Sequence, residues 1–143
     1  MKKILVLNGP NLNMLGTREP EIYGTLTLAD INALCIQTGS EAGLQVECRQ
    51  SNHEGELVTW IQQAIENADG VIINAAAYTH TSIAIHDALK MLPCPIIEVH
   101  LSDPESREEF RHNSYISALS KEVIKGQGSD GYRQAIENIQ KFL

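Results

Sequence analysis

Two hydrophobic rhythms alternate along the chain. Residues 4–8, 71–74 and 96–100 are short runs rich in Ile, Val and Leu. They are apolar at nearly every position, which is the pattern of strands buried on both faces of a parallel sheet. Residues 44–50 alternate, with Leu44, Val46 and Cys48 on one face, and residues 122–125 read as an edge strand. Between these runs lie stripes at helical spacing. They are Leu28, Ile31, Leu34, Cys35 and Ala42; Leu57, Ile61, Ala64, Ile65 and Ala68; Ile83, Ile85, Ala88 and Leu89; and Tyr132, Ala135, Ile136, Ile139 and Leu143.

Helix boundaries follow from local chemistry. Thr27 is placed to cap the first stripe with Asp30 in its first turn, and Gly43 stops it. The second stripe ends near residues 67–70. Ser82 caps a helix running to Leu92, where Pro93-Cys94-Pro95 ends it. A short helix is expected around residues 107–110, and Ser129 or Asp130 caps the last one. Strands alternate with helices five times, which predicts an α/β fold with helices on both faces of a parallel sheet. Strand count and length fit a flavodoxin-like three-layer sandwich whose five-stranded sheet has the order 2-1-3-4-5. A single domain spanning residues 1–143 accommodates the pattern.

One stretch breaks both rhythms. Residues 8–24 read Asn-Gly-Pro-Asn-Leu-Asn-Met-Leu-Gly-Thr-Arg-Glu-Pro-Glu-Ile-Tyr-Gly, and their glycines and prolines predict a long segment without regular structure. Long loops in compact domains are functional or disordered, and the apolar anchors Leu12, Met14, Leu15 and Ile22 argue against disorder. The segment reads as a mobile active-site loop that carries a cation, Arg18, and a phenol, Tyr23, on its lid.

Composition narrows the classes. The net charge is −7, from 11 basic and 18 acidic residues, which disfavours nucleic acid as the main partner. It leaves room for an anionic small molecule held by local arginines. No apolar run approaches the roughly 20 residues that cross a bilayer. Met1-Lys2-Lys3 precedes an apolar run shorter than the ~7–15 residues of a signal core, so a cytoplasmic first strand is expected. The cysteines Cys35, Cys48 and Cys94 lack metal-ligand spacing and read as reduced, mostly buried thiols.

Ligands of such a sheet bind beyond the carboxyl ends of the strands, at the switch point between strands 1 and 3. Strand 1 brings Asn8 and Asn11 there, followed by Arg18 and Tyr23. Strand 3 brings Asn74 and then His80. Strand 4 brings Glu98, His100 and Ser102, with Arg107 and Arg111 beyond. Glu98 and His100 share a strand face; the carboxylate either orients the ring for proton transfer or forms a plain buried ion pair. Using a phenol as a base at pH 7 costs about 4 kcal/mol from its free pKa near 10. A close cation recovers ~1–3 pKa units, so Arg18 with Arg111 could make Tyr23 a useful tyrosinate; the alternative is that Tyr23 closes the loop on an apolar patch. His80, between two threonines just before a helix, reads by itself more as a capping or surface histidine than as a ligand contact. His86-Asp87 is a solvated helix face or a subunit contact. Trp60 reads as packing. No Gly-x-Gly-x-x-Gly, Walker-type loop or Gly-x-Ser-x-Gly elbow occurs, and no acidic pair or Ser/Thr-rich phosphate cradle follows strand 1.

These residues carry a resemblance. Leu7-Asn8-Gly9-Pro10-Asn11-Leu12, Leu15-Gly16, Arg18, Pro20 and Tyr23-Gly24 are similar to the signature of the type II 3-dehydroquinate dehydratases. The similarity continues through residues 49–52, Asn74, residues 78–82, Asp87-Ala88, residues 98–102 and residues 107–111. It implies a cofactor-free, metal-free hydro-lyase that removes water from 3-dehydroquinate to give 3-dehydroshikimate in the shikimate pathway, through an enolate. Tyr23 matches the family's base, Arg18 the closing cation and Asn11 a group holding the enolate-stabilising water. His100 matches the acid, oriented by Glu98. Asn74, Leu101 and Ser102 match the carboxylate site, and His80 and Arg111 match contacts to ring hydroxyls. Asp87 matches a group reaching in from a neighbouring subunit of a homododecamer built from trimers. The chain departs from the family pattern at Ala75-Ala76, at His86 and across residues 103–106. A non-catalytic flavodoxin-like module binding a carboxylate ligand is the competing reading, and a flavin electron carrier a third.

Overall fold

The computed structural model describes residues 1–17, 19–23 and 25–143, with Pro20 and Tyr23 described in backbone only. Arg18 and Gly24 therefore lie outside the described residues. Five parallel strands, β1 (Lys3–Asn8), β2 (Gln45–Gln50), β3 (Gly70–Asn74), β4 (Ile96–Val99) and β5 (Glu122–Ile124), form one sheet of order β2-β1-β3-β4-β5. The order matches the expectation from alternation and length. The helices are α1 (Pro20–Tyr23), α2 (Leu28–Glu41), α3 (Glu54–Asn67), α4 (Ile83–Lys90) and α5 (Asp130–Ile139).

Strand period decides which layer each side chain enters. Ile4 and Val6 of β1, Ile72 of β3, and Ile97 and Val99 of β4 pack with Ile31, Tyr132 and Ile136 on the α2/α5 side. Leu5, Leu7, Val71, Ile73 and Ile96 pack with Leu57, Ile61, Ile85 and Leu89 on the α3/α4 side. The runs are apolar throughout because both faces are covered. The same parity carries on into the polar strand ends. Asn8 and Asn74 fall on the α5 side, and Glu98 falls on the α4 side.

Caps behave as their chemistry requires. Thr27 and Asp30 form a reciprocal capping box at α2, satisfying two otherwise orphaned donors. Ser82 Oγ accepts from the Ile85 amide at 2.9 Å and opens α4. Ser129 holds the N-cap position of α5 without a side-chain cap bond, and Asp130 pairs with Arg133 at 2.6 Å.

Several expectations are corrected. The stretch 8–24 is not wholly irregular: a 3-10 turn occupies Leu12–Met14 and α1 occupies Pro20–Tyr23. Proline is tolerated at a helix start, where its missing donor is not needed. The helix expected around 107–110 is two 3-10 turns, Pro104–Ser106 and Glu109–Arg111. Residues expected as loop after β3 include a 3-10 turn at Ala76–His80, and α4 ends at Lys90 rather than Leu92. Ile83 and Leu143, assigned to apolar stripes, are exposed, and of the three thiols only Cys35 is fully buried.

Candidate active site

A cleft of about 210 Å³ opens at the carboxyl edge of the sheet, over β1, β3 and β4. Asn11, Asn74, His80, His100, Leu101, Ser102 and Arg111 all line it, so seven residues to which the family resemblance gives a role meet there. Pro10, Leu12, Ala76, Ala77, Pro104 and Arg107 complete the wall. Glu98 stands behind His100. Asp87 is exposed on α4 and is not part of this wall. Arg18 and the side chain of Tyr23 lie outside the described residues.

The β1 end turns sharply. The Gly9 amide donates to the Asn74 carbonyl at 2.8 Å, and a Cβ at Gly9 would collide with the backbone of Ala75. Only glycine lets the two strand ends approach so closely. Asn11 follows in the left-handed region at φ 69°, which asparagine tolerates better than most residues. Its amide donates to Asn52 Oδ1 at 2.9 Å. Gln50 Nε2 donates to the Gly9 carbonyl at 3.1 Å, and Tyr78 Oη donates to the Asn52 carbonyl at 2.8 Å. The segment after β2 therefore braces the cleft's first wall. Sequence reasoning matched residues 49–52 to the family without assigning them this bracing role.

Behind the cleft, Glu98 is almost wholly buried, at 1% exposed, and His100 is 7% exposed. His100 Nε2 is bound to Glu98 Oε2. The same carboxylate accepts from Ser114 Oγ at 2.9 Å and from Ser117 Oγ at 2.6 Å. Burial pushes the Glu98 carboxyl up, but His100, by hydrogen bond and charge, and then Ser117 and Ser114 outweigh it. The net shift is downward from the ordinary 4.5. Glu98 is thus held ionised at neutral pH. The serines had no signal in the sequence: they sit 16 and 19 residues downstream of Glu98.

His100 lies just past β4, yet its amide still donates to the Ile124 carbonyl at 2.9 Å, continuing the pairing with β5. Leu101 and Ser102 are held next. The Gly128 amide donates to the Leu101 carbonyl at 3.0 Å and the Gly126 amide to the Ser102 carbonyl at 3.2 Å. The glycines after β5 therefore help build the site.

His80 Nδ1 donates to the Asn113 carbonyl at 2.8 Å, which leaves Nε2 as an acceptor in the neutral ring. Burial lowers its pKa below 6.5; the Asn113 bond opposes this, and the charges of His100 and Arg111 add to the lowering. Arg111 Nε pairs with Glu108 at 2.5 Å, and its guanidinium stacks on Phe110 at 4.9 Å. Ala76 turns through φ 52°, a conformation costing roughly 1–2 kcal/mol for a residue with a Cβ. It stands at one of the departures from the family pattern.

Imidazole, carboxylate and amide groups delivered from three strand ends to one edge define a flavodoxin-like α/β enzyme, with proton transfer as the chemistry those groups can do. Within that class the chain belongs to the type II dehydroquinase family: the model described as "Dehydroquinase class II" matches residues 2–140. A 3-dehydroquinate dehydratase of Variovorax paradoxus (strain S110) is 57% identical over 141 residues, covering 95% of this chain and 97% of the relative. The 3-dehydroquinate dehydratase 1 of Agrobacterium fabrum is 53% identical over 139 residues, covering 97% and 96%. The crystal structure of type II dehydroquinase from Propionibacterium acnes superposes with a TM-score of 0.95 at 50% identity, covering 99% of this chain and 97% of that one. Among the described residues no helix is long and apolar enough to cross a membrane.

Proposed function

We propose that residues 1–143 act as one catalytic domain in which the cleft removes water from 3-dehydroquinate to give 3-dehydroshikimate. The reaction is that of a hydro-lyase of the shikimate pathway, as in the relatives at 53–57% identity. Tyr23, ionised under the influence of Arg18, takes a proton from the carbon α to the ketone. The C–H electron pair passes into an enolate. Asn11 supports the water that stabilises the enolate oxygen, since a developing oxyanion needs a preset donor. The enolate then collapses and expels the hydroxyl, which leaves as water with a proton from His100. With Nε2–H committed to Glu98, Nδ1 is the ring nitrogen that delivers this proton, from the imidazolium form in which both nitrogens carry one, and the ring is left neutral. Asn74 and the backbone at Leu101 and Ser102 receive the substrate carboxylate, and His80 and Arg111 contact ring hydroxyls.

The single observation that supports this reading best is the buried Glu98–His100 pair opening onto a cleft lined by amide and hydroxyl groups. A pair placed only for stability has no reason to line a cleft. Asp87, exposed and away from the wall, fits a contribution to a neighbouring copy in a homododecamer acting in the cytoplasm. Mass photometry gives the assembly directly, and a monomer with full activity would remove that role for Asp87.

The activity test follows the conjugated enone of the product by absorbance. Wild-type protein converts 3-dehydroquinate, and Tyr23→Phe loses at least about 10²-fold in kcat, the lower range for a positioned acid or base. A Tyr23→Phe protein with nearly full turnover would remove Tyr23 as the base. Tight binding of a quinate-like acid with no turnover by the wild type would instead favour a binding module.

A further inference from the structure

Tyr132 is the bulkiest fully buried side chain among the described residues, and it lies on α5, outside the cleft wall. Its hydroxyl accepts from Asn74 Nδ2 at 3.0 Å and donates to Asn8 Oδ1 at 2.6 Å. Asn8 and Asn74 are register partners on β1 and β3, the two strands that meet at the switch point. Both project to the α5 side by strand parity, so a single phenol on that helix reaches both. The bonds run one way, from Asn74 amide to Tyr132 hydroxyl to Asn8 carbonyl.

This direction fixes Asn74 from both ends. Asn74 Oδ1 accepts from the Ala76 amide at 3.1 Å. An amide nitrogen carries two hydrogens. One goes to Tyr132, and the second is left for the cleft that Asn74 lines. Asn8 Nδ2, buried, has no hydrogen-bond partner among the described residues, and leaving a buried donor unmet is destabilising. Leucine at positions 8 and 74 with phenylalanine at 132 would fill the same space with no side-chain donor left unmet. The polar cluster is therefore a poor device for stability alone.

We infer that Tyr132 is a positioning residue for substrate binding, holding the Asn74 amide so that one N–H faces the substrate carboxylate. The inference rests on the reading of Asn74 as a substrate contact given above. Tyr132 touches no substrate and acts through Asn74. Burial, the larger influence, raises the Tyr132 pKa well above 10, despite the opposing Asn74 bond. The hydroxyl keeps its proton throughout the working pH range, and the direction of the chain persists with it.

The test is steady-state kinetics on the full chain with 3-dehydroquinate, alongside thermal melting. Tyr132→Phe raises KM roughly tenfold, the scale of one lost hydrogen bond that orients a binding group, and leaves kcat within about twofold. Asn8→Leu/Tyr132→Phe shows the same rise in KM with a Tm above that of the single variant, since it also removes the Asn8 carbonyl that Tyr132→Phe leaves unpaired; it also serves if the single variant folds poorly. Ile136→Val, a fully buried change on the same helix, lowers Tm and leaves KM alone. In an Asn74→Ala background, Tyr132→Phe produces no further rise in KM. A wild-type KM in Tyr132→Phe, or an additive effect on top of Asn74→Ala, overturns the positioning role while the dehydratase reading stands. Absence of turnover by the wild type overturns both.

Discussion

Two polar clusters back the same cleft from opposite layers of the sheet, and they are built on different principles. On the α4 side, Glu98 is an ionised carboxylate surrounded by donors: His100, Ser114 and Ser117. On the α5 side, Asn8, Asn74 and Tyr132 are all neutral, and one amide nitrogen has no partner among the described residues. A buried charge is tolerable only when fully hydrogen-bonded, so the first cluster is saturated. A neutral cluster can afford to leave one donor unmet. The saturated cluster can support a change of charge on His100 during proton transfer, whereas the neutral one is suited to holding a fixed orientation. On the roles proposed for His100 and Asn74, chemistry and binding fall to separate layers, and kinetics can separate them as kcat and KM.

The comparison breaks or sharpens most at His100. His100→Ala lowers kcat by about 10²–10⁴-fold, the range for loss of a positioned acid, with a much smaller change in KM. Stopped-flow or steady-state assays in 3-dehydroquinate measure it; a large KM effect at constant kcat would merge the two clusters into one binding site. Next comes Glu98→Gln, which lowers kcat about 10–100-fold, the scale of a hydrogen bond to a charged partner. This variant has a pH signature. The folded-state pKa of Glu98 is depressed below 4.5. Its stabilisation is therefore present above about 4.5, and it is lost as pH falls from there through the folded-state value. The Tm difference between wild type and Glu98→Gln is expected to be full near pH 6 and to shrink below pH 4.5; a constant difference would remove the ionised carboxylate from the account.

A smaller effect, confined to KM, is expected from Tyr132→Phe on the other layer. The smallest is Ser117→Ala, which removes one of several donors to Glu98. It lowers kcat by roughly two- to tenfold, as for an ordinary hydrogen bond, and leaves KM near wild type. If Ser117→Ala moved KM and Tyr132→Phe moved kcat, the division of labour would be reversed.

Legibility in the sequence differs between the same two clusters. Glu98 and His100 could be paired from their spacing, because alternate residues of a strand share a face. Their serines could not, because they arrive on an irregular segment whose path no periodicity describes. Tyr132 belongs to an apolar stripe by its spacing, which accounts for its burial, but spacing shows no partner for its hydroxyl. The loop after β1 gave apolar anchors and breakers, and these did not reveal its 3-10 turn at Leu12–Met14 or its short helix at Pro20–Tyr23. Such brief elements depend on local backbone bonds more than on side-chain pattern.

By itself the sequence determined the sheet order, the layers and the edge at which chemistry collects. Those follow from the period of burial, from connection length and from the rule that ligands sit beyond parallel strand ends. Together with the family resemblance it also named seven of the residues that line the cleft. Only the tertiary structure decided which polar groups complete one another across the layers: Tyr132 with Asn8 and Asn74, Ser114 and Ser117 with Glu98, and Asn52 with Asn11. The physical reason is that a hydrogen bond depends on ångström-scale position and direction, and residues far apart in the chain acquire those only when the packed core sets the distance between their elements.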